Sequence, residues 1–376
     1  MDPLDAYCGD IFSSMHRADQ RRAAEAYLRG LLSVAGRKSV RGMATATASG
    51  RSVQSLQQFL SQSPWDPVPI RRRLLTQLVA SQRPVACVVE EVAFPKHGRH
   101  SAAVERQYVR SLGRVCNCQL AVVATLTCTR FSVPVDWRLI VPKSWGADRQ
   151  RRARARIPDH ELPRPYHHYL IEAMDDLAGA RSALPVPLVG DVSHQVEVES
   201  LFDALERRQQ AYLLRVSPSL SVSYQRSPLR RSVGAPSPSR PDPSASGWRG
   251  MVEELVARIA NHTRRTVEWQ DGDASGRSQF LWLPARPGSR MLLCEWPADS
   301  PRPGGFWITN LIDRRLADVV LLAKLGAAAG PRFEQLAGAF GLREYAGRTF
   351  AGWHHHLTLV AAACTYSVLE QLGQTA

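Results

Sequence analysis

A chain of 376 residues that is 44% hydrophobic and 22% charged can bury a sizeable core and form more than one domain, which excludes a disordered or fibrous polypeptide. Its 48 Lys and Arg outweigh 34 Asp and Glu, and the formal net charge of +14 favours a polyanionic partner, most simply nucleic acid. The competing reading of that surplus is compositional, since a GC-rich coding sequence also raises Arg and Ala.

In chain order, residues 1–80 read as helical. Ala23–Leu32 (AAEAYLRGLL), Ser55–Leu60 and Ile70–Leu78 place apolar residues at helical spacing, and Pro64, Pro67 and Pro69 separate the last two. Arg17, Arg21, Arg22, Arg37, Lys38, Arg41 and Arg71 to Arg73 interleave with these helices. A bundle with one basic, DNA-contacting face and a merely solvated charged surface are both open readings. Residues 81–216 change character. Val85–Val89 (VACVV) reads as a buried strand ending in Glu90 and Glu91, and Gln119–Leu126 and Trp137–Val141 continue it as a meander. Arg149–Arg156 (RQRRARAR) reads as a dense basic loop. A helix at His168–Leu177 and a strand at Pro185–Asp191 follow, then a helix at Glu197–Arg208 and a strand at Ala211–Val216. Acids at strand ends and alternating strands and helices are the grammar of an open α/β sheet.

Residues 217–247, rich in Ser, Pro and Arg, read as a flexible linker. Within residues 248–311, Thr266–Trp269, Gln279–Pro284, Met291–Trp296 and Phe306–Asn310 read as strands. Within residues 312–376, helices are expected at Leu316–Leu325, Phe333–Phe340 and about Gly352–Gly373. Seven cysteines (Cys8, Cys87, Cys116, Cys118, Cys128, Cys294, Cys364) show no CxxC pair, so they read as reduced thiols of a cytoplasmic protein rather than zinc ligands. The acidic start MDPLDAYCGD lacks the apolar run of a signal peptide, and no apolar stretch reaches the ~20 residues of a membrane span.

The chain has no GxxxxGK[ST] loop, no GxGxxG after a strand, no HExxH and no GxSxG, which argues against an NTPase, a zinc protease or a serine hydrolase. Other motifs do stand out. They are Ser63–Asp66 (SPWD), Glu90–Arg99 (EEVAFPKHGR), Arg106–Tyr108 with Gly113 and Asn117–Gln119, and Leu139–Trp145 (LIVPKSW). Glu295–Pro297 (EWP), Trp307–Leu311 (WITNL), Lys324, Gly341-Leu342, Gly347-Arg348 and Gly352–His356 (GWHHH) continue the series. In this order they resemble the SPWD, DDTGFPKKG, RQYSGTxGxxxNCQ, LYLPESW, EWP, YWLSNLP and GLDHFEGRSWRGWHHH motifs of a group of bacterial DDE-type insertion-sequence transposases, over roughly residues 25–370. The resemblance implies an α/β, RNase H-like core with a mixed sheet, a helical N-terminal region and a β-rich insertion between the second and third acids. It also implies Mg²⁺-dependent cleavage and transfer of DNA strands, in which an Asp, Asp, Glu set holds two ions about 3.5–4 Å apart.

The acids depart from that pattern. Glu90 or Glu91 stands where the group has Asp, and one extra methylene moves a carboxylate by roughly 1.5 Å against coordination distances near 2.1 Å. Asp191 matches the second acid, but the DAGYG context reads DVSHQ. The WxIExDYxELK helix of the third acid aligns its Glu with Gly330, its Asp with Arg332 and its Tyr with Phe333. Glu334, one turn on and about 6 Å away, is the residue that could replace the missing Glu. The implied catalytic set is therefore Glu90, Glu91, Asp191 and Glu334, with Glu90 and Asp191 as metal ligands. Three consecutive His cannot share one ion on a helix, where neighbours point about 100° apart. His354 to His356 therefore read as helix-start packing with phosphate contacts, and His167 and His168 as structural or surface residues. The expected DNA contacts are Lys96, Arg99, Arg149, Arg151, Arg152, Arg154, Arg156, Arg348 and His354.

Three readings follow. The first is a transposase-derived protein of the nucleoid that binds double-stranded DNA with impaired or lost cleavage and needs no cofactor. The second is an active, Mg²⁺-dependent transposase using Glu90 or Glu91, Asp191 and Glu334. The third is a fold recruited to a non-DNA role, as an interaction module or an unrelated enzyme. A homodimer is compatible with each, and no membrane association is expected.

Overall fold

In the computed structural model, which describes residues 2–46, 52–179, 184–224, 248–259, 264–272, 274–286, 289–298 and 300–373, the expected elements emerge with several additions. Five helices come first: α1 (Pro3–Ile11), α2 (Ala18–Ser33), α3 (Val40–Ala46), α4 (Val53–Ser61) and α5 (Val68–Gln82). Then come β1 (Ala86–Pro95), β2 (Glu105–Val109), β3 (Arg114–Thr127), β4 (Ser132–Leu139), α6 (Lys143–Gly146), α7 (Arg149–Ala155) and α8 (Tyr166–Ala178). They are followed by β5 (Leu188–Asp191), α9 (Val198–Arg207), β6 (Tyr212–Arg215), β7 (Ser221–Tyr224), β8 (Trp248–Met251) and α10 (Val252–Ile259). The chain continues with β9 (Arg265–Asp271), β10 (Ala274–Arg286), β11 (Arg290–Pro297), β12 (Gly305–Thr309), α11 (Leu316–Ala339) and α12 (Phe350–Gly373). No helix among the described residues is long and apolar enough to cross a membrane.

The chain divides into two compact units, Met1–Val186 with Ala328–Ala376, and Pro187–Ala327. In the first, β3 is the shared strand. Its first residues pair with β2, and its last ten run antiparallel to β1 on one edge. Residues 121–127 pair with β4 on the other edge. Local chemistry sets the helix starts. The Asp2 carboxylate accepts from Leu4 N to cap α1, Ser52 Oγ accepts from Ser55 N at 3.1 Å to cap α4, and Asp148 accepts from Arg151 N at 2.9 Å to cap α7. Helix α12 runs through the core, with residues 352–365 buried throughout. A buried ionic network crosses the unit. Arg71 of α5 pairs with Asp136 of β4, donates to Thr358 Oγ1 at 3.1 Å and reaches His354 Nδ1 at 3.0 Å. Arg138 binds Asp136 at 3.1 Å and Asp176 of α8.

The second unit holds a mixed sheet in the order β5-β6-β12-β11-β10-β9, with β5 and β6 parallel and the other neighbours antiparallel. A separate ribbon joins β7 to β8. Arg290, 4% exposed, ties α9 to the sheet by donating to Glu199 at 2.6 Å, Asp203 at 3.0 Å and Glu206 at 2.5 Å while lying over Phe202.

Several expectations change. Glu90 and Glu91 do not end a strand; β1 continues to Pro95, because Val92, Ala93 and Phe94 beyond them are also buried. Arg149–Arg156 is not a loop, since Asp148 caps seven of its residues into α7. The two helices expected at 316–325 and 333–340 are one helix that carries Pro331 in its interior. Helices α6 and α10 and strands β2, β7 and β8 were not expected, and β7 takes up the start of the expected linker. Most of the 217–247 linker, from residue 225 onward, lies outside the described residues.

Candidate acidic site and nucleic-acid interface

Adjacent residues of a strand face opposite sides, so Glu90 and Glu91 cannot serve one site together. Glu90 opposes Val123 and Glu91 opposes Val122 in the β1–β3 ladder. Glu90 faces α11. Its Oε1 lies 2.6 Å, and its Oε2 3.0 Å, from where a Cβ on Gly330 would sit. The longer acid thus fills the room that a side chain at position 330 would take. Burial raises the Glu90 carboxyl to about 7, and the charge of Glu334 adds to the rise. Glu91 is also raised by burial, and Arg110 partly offsets this.

Glu334 is near enough for its charge to act on Glu90, but its carboxylate is engaged. Arg343 donates to both oxygens, one of them at 2.5 Å. Arg332 reaches Cys128 O at 3.3 Å. In the second unit, Asp191 ends β5 half-exposed. Its Oδ1 accepts from Ser193 N at 2.9 Å and Ser193 Oγ at 2.6 Å, and its Oδ2 lies 3.8 Å from Arg215. Arg215 is the register partner of Asp191 across the parallel pair, and the sequence reading had not marked it.

The cations sort into two groups. Several converge on the β1–β2 loop of the first unit. Lys96 Nζ donates to Tyr345 O at 2.8 Å, and burial lowers its pKa to about 8. Ala102 N donates to Arg348 O at 3.0 Å. Arg151 donates to Val104 O at 2.8 Å and to Arg99 O at 3.4 Å, with its guanidinium 3.8 Å from the Trp145 ring centroid. Arg99, Arg149, Arg154, Arg156 and Arg348 are exposed around this loop and helix α7. Arg152 is not available. It is 6% exposed and donates to Glu161 O at 2.9 Å and Pro158 O at 2.7 Å.

His354 corrects another expectation. It is buried, touches Arg71 and has its pKa lowered well below 6.5 by burial, so it packs and does not reach phosphate. His355 bridges Leu60 O and Trp65 O at 2.8 and 2.9 Å and stacks on Trp65. His356 joins Tyr27 Oη and Gly341 O. The triple histidine is a structural staple between α12, α2 and the turn before α5.

A family model described as DDE superfamily endonuclease matches residues 10–276. The chain belongs to the DDE superfamily endonucleases. No curated protein matches it. The mixed α/β organisation, with N-terminal helices and a parallel β5–β6 pair, is consistent with the RNase H-like fold of that superfamily. The match ends before Gly330 and the triple histidine, so the departure at the third acid lies outside the matched span. DDE endonucleases typically use divalent metal. The residues of this one do not fit a pair of ions. Gly330 carries no side chain, the Glu90 carboxylate lies over it, and both Glu334 oxygens accept from Arg343. Among the described residues, no group of three or more His, Cys, Asp or Glu side chains is placed to hold a metal ion.

Proposed function

We propose that this DDE endonuclease-type chain is a transposase-derived protein that binds double-stranded DNA and is impaired in metal-dependent strand cleavage and transfer. The observation that carries the reading is the Glu90–Gly330 contact, in which a half-buried carboxylate occupies the space a side chain at position 330 would take. Two-metal chemistry needs hard oxygen ligands that converge on two sites. A glycine at one ligand position and an arginine clamped on its nearest substitute remove that convergence. The family supplies the substrate class, nucleic acid. The exposed arginines around the β1–β2 loop and α7 supply a surface suited to phosphates.

The second reading, an active enzyme using Glu90, Asp191 and Glu334, draws on the electrostatic contact between Glu90 and Glu334. A nicking assay on supercoiled and linear DNA with Mg²⁺ or Mn²⁺ separates the two. The expected result is salt-sensitive binding with no nicking above the no-metal control. Metal-dependent cleavage that disappears in Asp191→Ala would overturn the proposal and establish the second reading.

A further inference from the structure

The β2–β3 hairpin carries a surface that neither the acids nor the α7 arginines explain. Its tip is a 3-10 turn, Arg110–Leu112, closed by Gly113 at φ 61° with Gly113 N donating to Arg110 O at 3.1 Å. A residue with a side chain is strained at that φ, so the turn is built for glycine. Three apolar side chains on this hairpin stand in solvent: Tyr108 is 62% exposed, Leu112 43% and Val115 52%. Tyr108 and Val115 are direct cross-strand partners, so they form one apolar step. Arg106, Arg110 and Arg114 are exposed around them, and none of the three makes an ion pair among the described residues. Arg110 acts only at a distance, on Glu91.

The hairpin is held at both ends, by Val109 beside the turn and by Asn117 and Gln119 at the far end. Val109 is fully buried, Asn117 donates to Lys96 O at 2.7 Å and to Gly98 O at 2.9 Å, and Gln119 donates to Ala102 O at 2.7 Å. The neighbouring strand ends carry the loop on which Arg99 and Arg348 converge.

Exposed apolar groups clustered on a rigid element mark an interaction site. The charge around them chooses the partner. A second copy of this chain would bring six arginines together at an edge strand, where charge opposes strand-to-strand pairing. A polyanion meets no such penalty. An aromatic ring between arginines matches a nucleic acid, with phosphates on the guanidinium groups and a base on the ring. Such a ring can stack only on a base that is open on one face, at a duplex end or in a single-stranded overhang.

We infer that the β2–β3 hairpin is a DNA-docking finger, with Arg106, Arg110 and Arg114 on phosphates and Tyr108 stacked on a terminal or unpaired base. The inference rests on the DNA-binding reading above and adds to it a site and a preferred DNA form. Fluorescence anisotropy of a labelled duplex with a single-stranded overhang, titrated over a range of salt, tests it with the full chain. The triple variant Arg106→Gln/Arg110→Gln/Arg114→Gln is expected to flatten the slope of log K against log salt by about 2–3, since each phosphate contact contributes about 0.9. Tyr108→Ala is expected to weaken overhang binding about tenfold with the slope unchanged, and Tyr108→Phe to keep full affinity. Thermal melting of each variant controls for folding. If the native chain binds and both variants match it in affinity and slope, the finger is wrong while DNA binding stands. If the native chain does not bind at low salt, the DNA-binding reading fails and the finger falls with it. Loss of self-association in the triple variant, without change in DNA affinity, would assign the hairpin to a second copy and overturn the inference.

Discussion

At the scale of single residues, Glu90 and Gly330 are best understood as one feature. Sequence comparison alone marks each as a separate departure, an acid one methylene too long and an acid replaced by glycine. Their contact shows that the two departures fit each other, with the extra length of Glu90 occupying the space over Gly330. That complementarity was not legible because it joins residues 240 positions apart, on β1 and α11. The half-buried carboxyl has a measurable consequence. Its pKa rises from 4.5 to about 7 on folding, so its stabilising share is fully present below about pH 4.5 and is lost as pH rises through about 7. The buried histidines act in the opposite sense. His355 and His356 fall to about 4 from 6.5, so their share is present above about pH 6.5 and is lost as pH falls towards 4. Glu90→Gln isolates the first term. Denaturant unfolding should show the Gln variant gaining on the native chain by on the order of 3 kcal/mol between about pH 4.5 and pH 8. A stability difference that stays flat over that range would mean the carboxylate is solvated and not packed against Gly330.

At the scale of elements, the sequence was most readable where a single periodicity governs and least readable where packing overrides a local rule. Helices α2, α8 and α12 and strands β3, β10 and β11 all lie where their apolar spacing puts them. Helix α11 does not obey its local signal. Gly330-Pro331 reads as a break, yet the helix runs through it. Ala329, Phe333 and Ala337, four residues apart, are completely buried on one face, and that burial holds the turn against the proline. The cost should remain. An interior proline disfavours a helix by about 3 kcal/mol relative to alanine, and its restriction of the unfolded chain returns only about 0.4–1. Pro331 is exposed, so little packing is lost on removing it. Pro331→Ala should therefore raise stability by about 2 kcal/mol and the melting temperature by about 5 °C, read by calorimetry. An unchanged or lower melting temperature would show that the proline contributes packing that its exposure hides.

At the scale of the whole molecule, the net charge of +14 favours a polyanionic partner but does not say which cations would meet it. Composition counts every arginine alike, whereas folding spends some of them on structure. Arg71 and Arg290 are buried in ionic networks, and Arg152 is buried with its guanidinium on two backbone carbonyls. Arg149 and Arg154 stay exposed on the same short helix α7 as Arg152. That contrast, inside seven residues, separates the two uses of positive charge. Arg149→Gln/Arg154→Gln should leave thermal stability unchanged and lower the salt slope of DNA binding by about 2, one counterion share for each lost phosphate contact. Arg152→Ala should do the reverse. It leaves two carbonyls without their charged donor, so unfolding should become easier by about 2 kcal/mol while the salt slope of the folded protein is kept. The two measurements are denaturant unfolding and binding isotherms over a salt series. If Arg152→Ala flattened the salt slope as much as the surface pair, the assignment of Arg152 to structure and of Arg149 and Arg154 to DNA would be wrong. The basic surplus would then act as a diffuse field rather than through placed contacts.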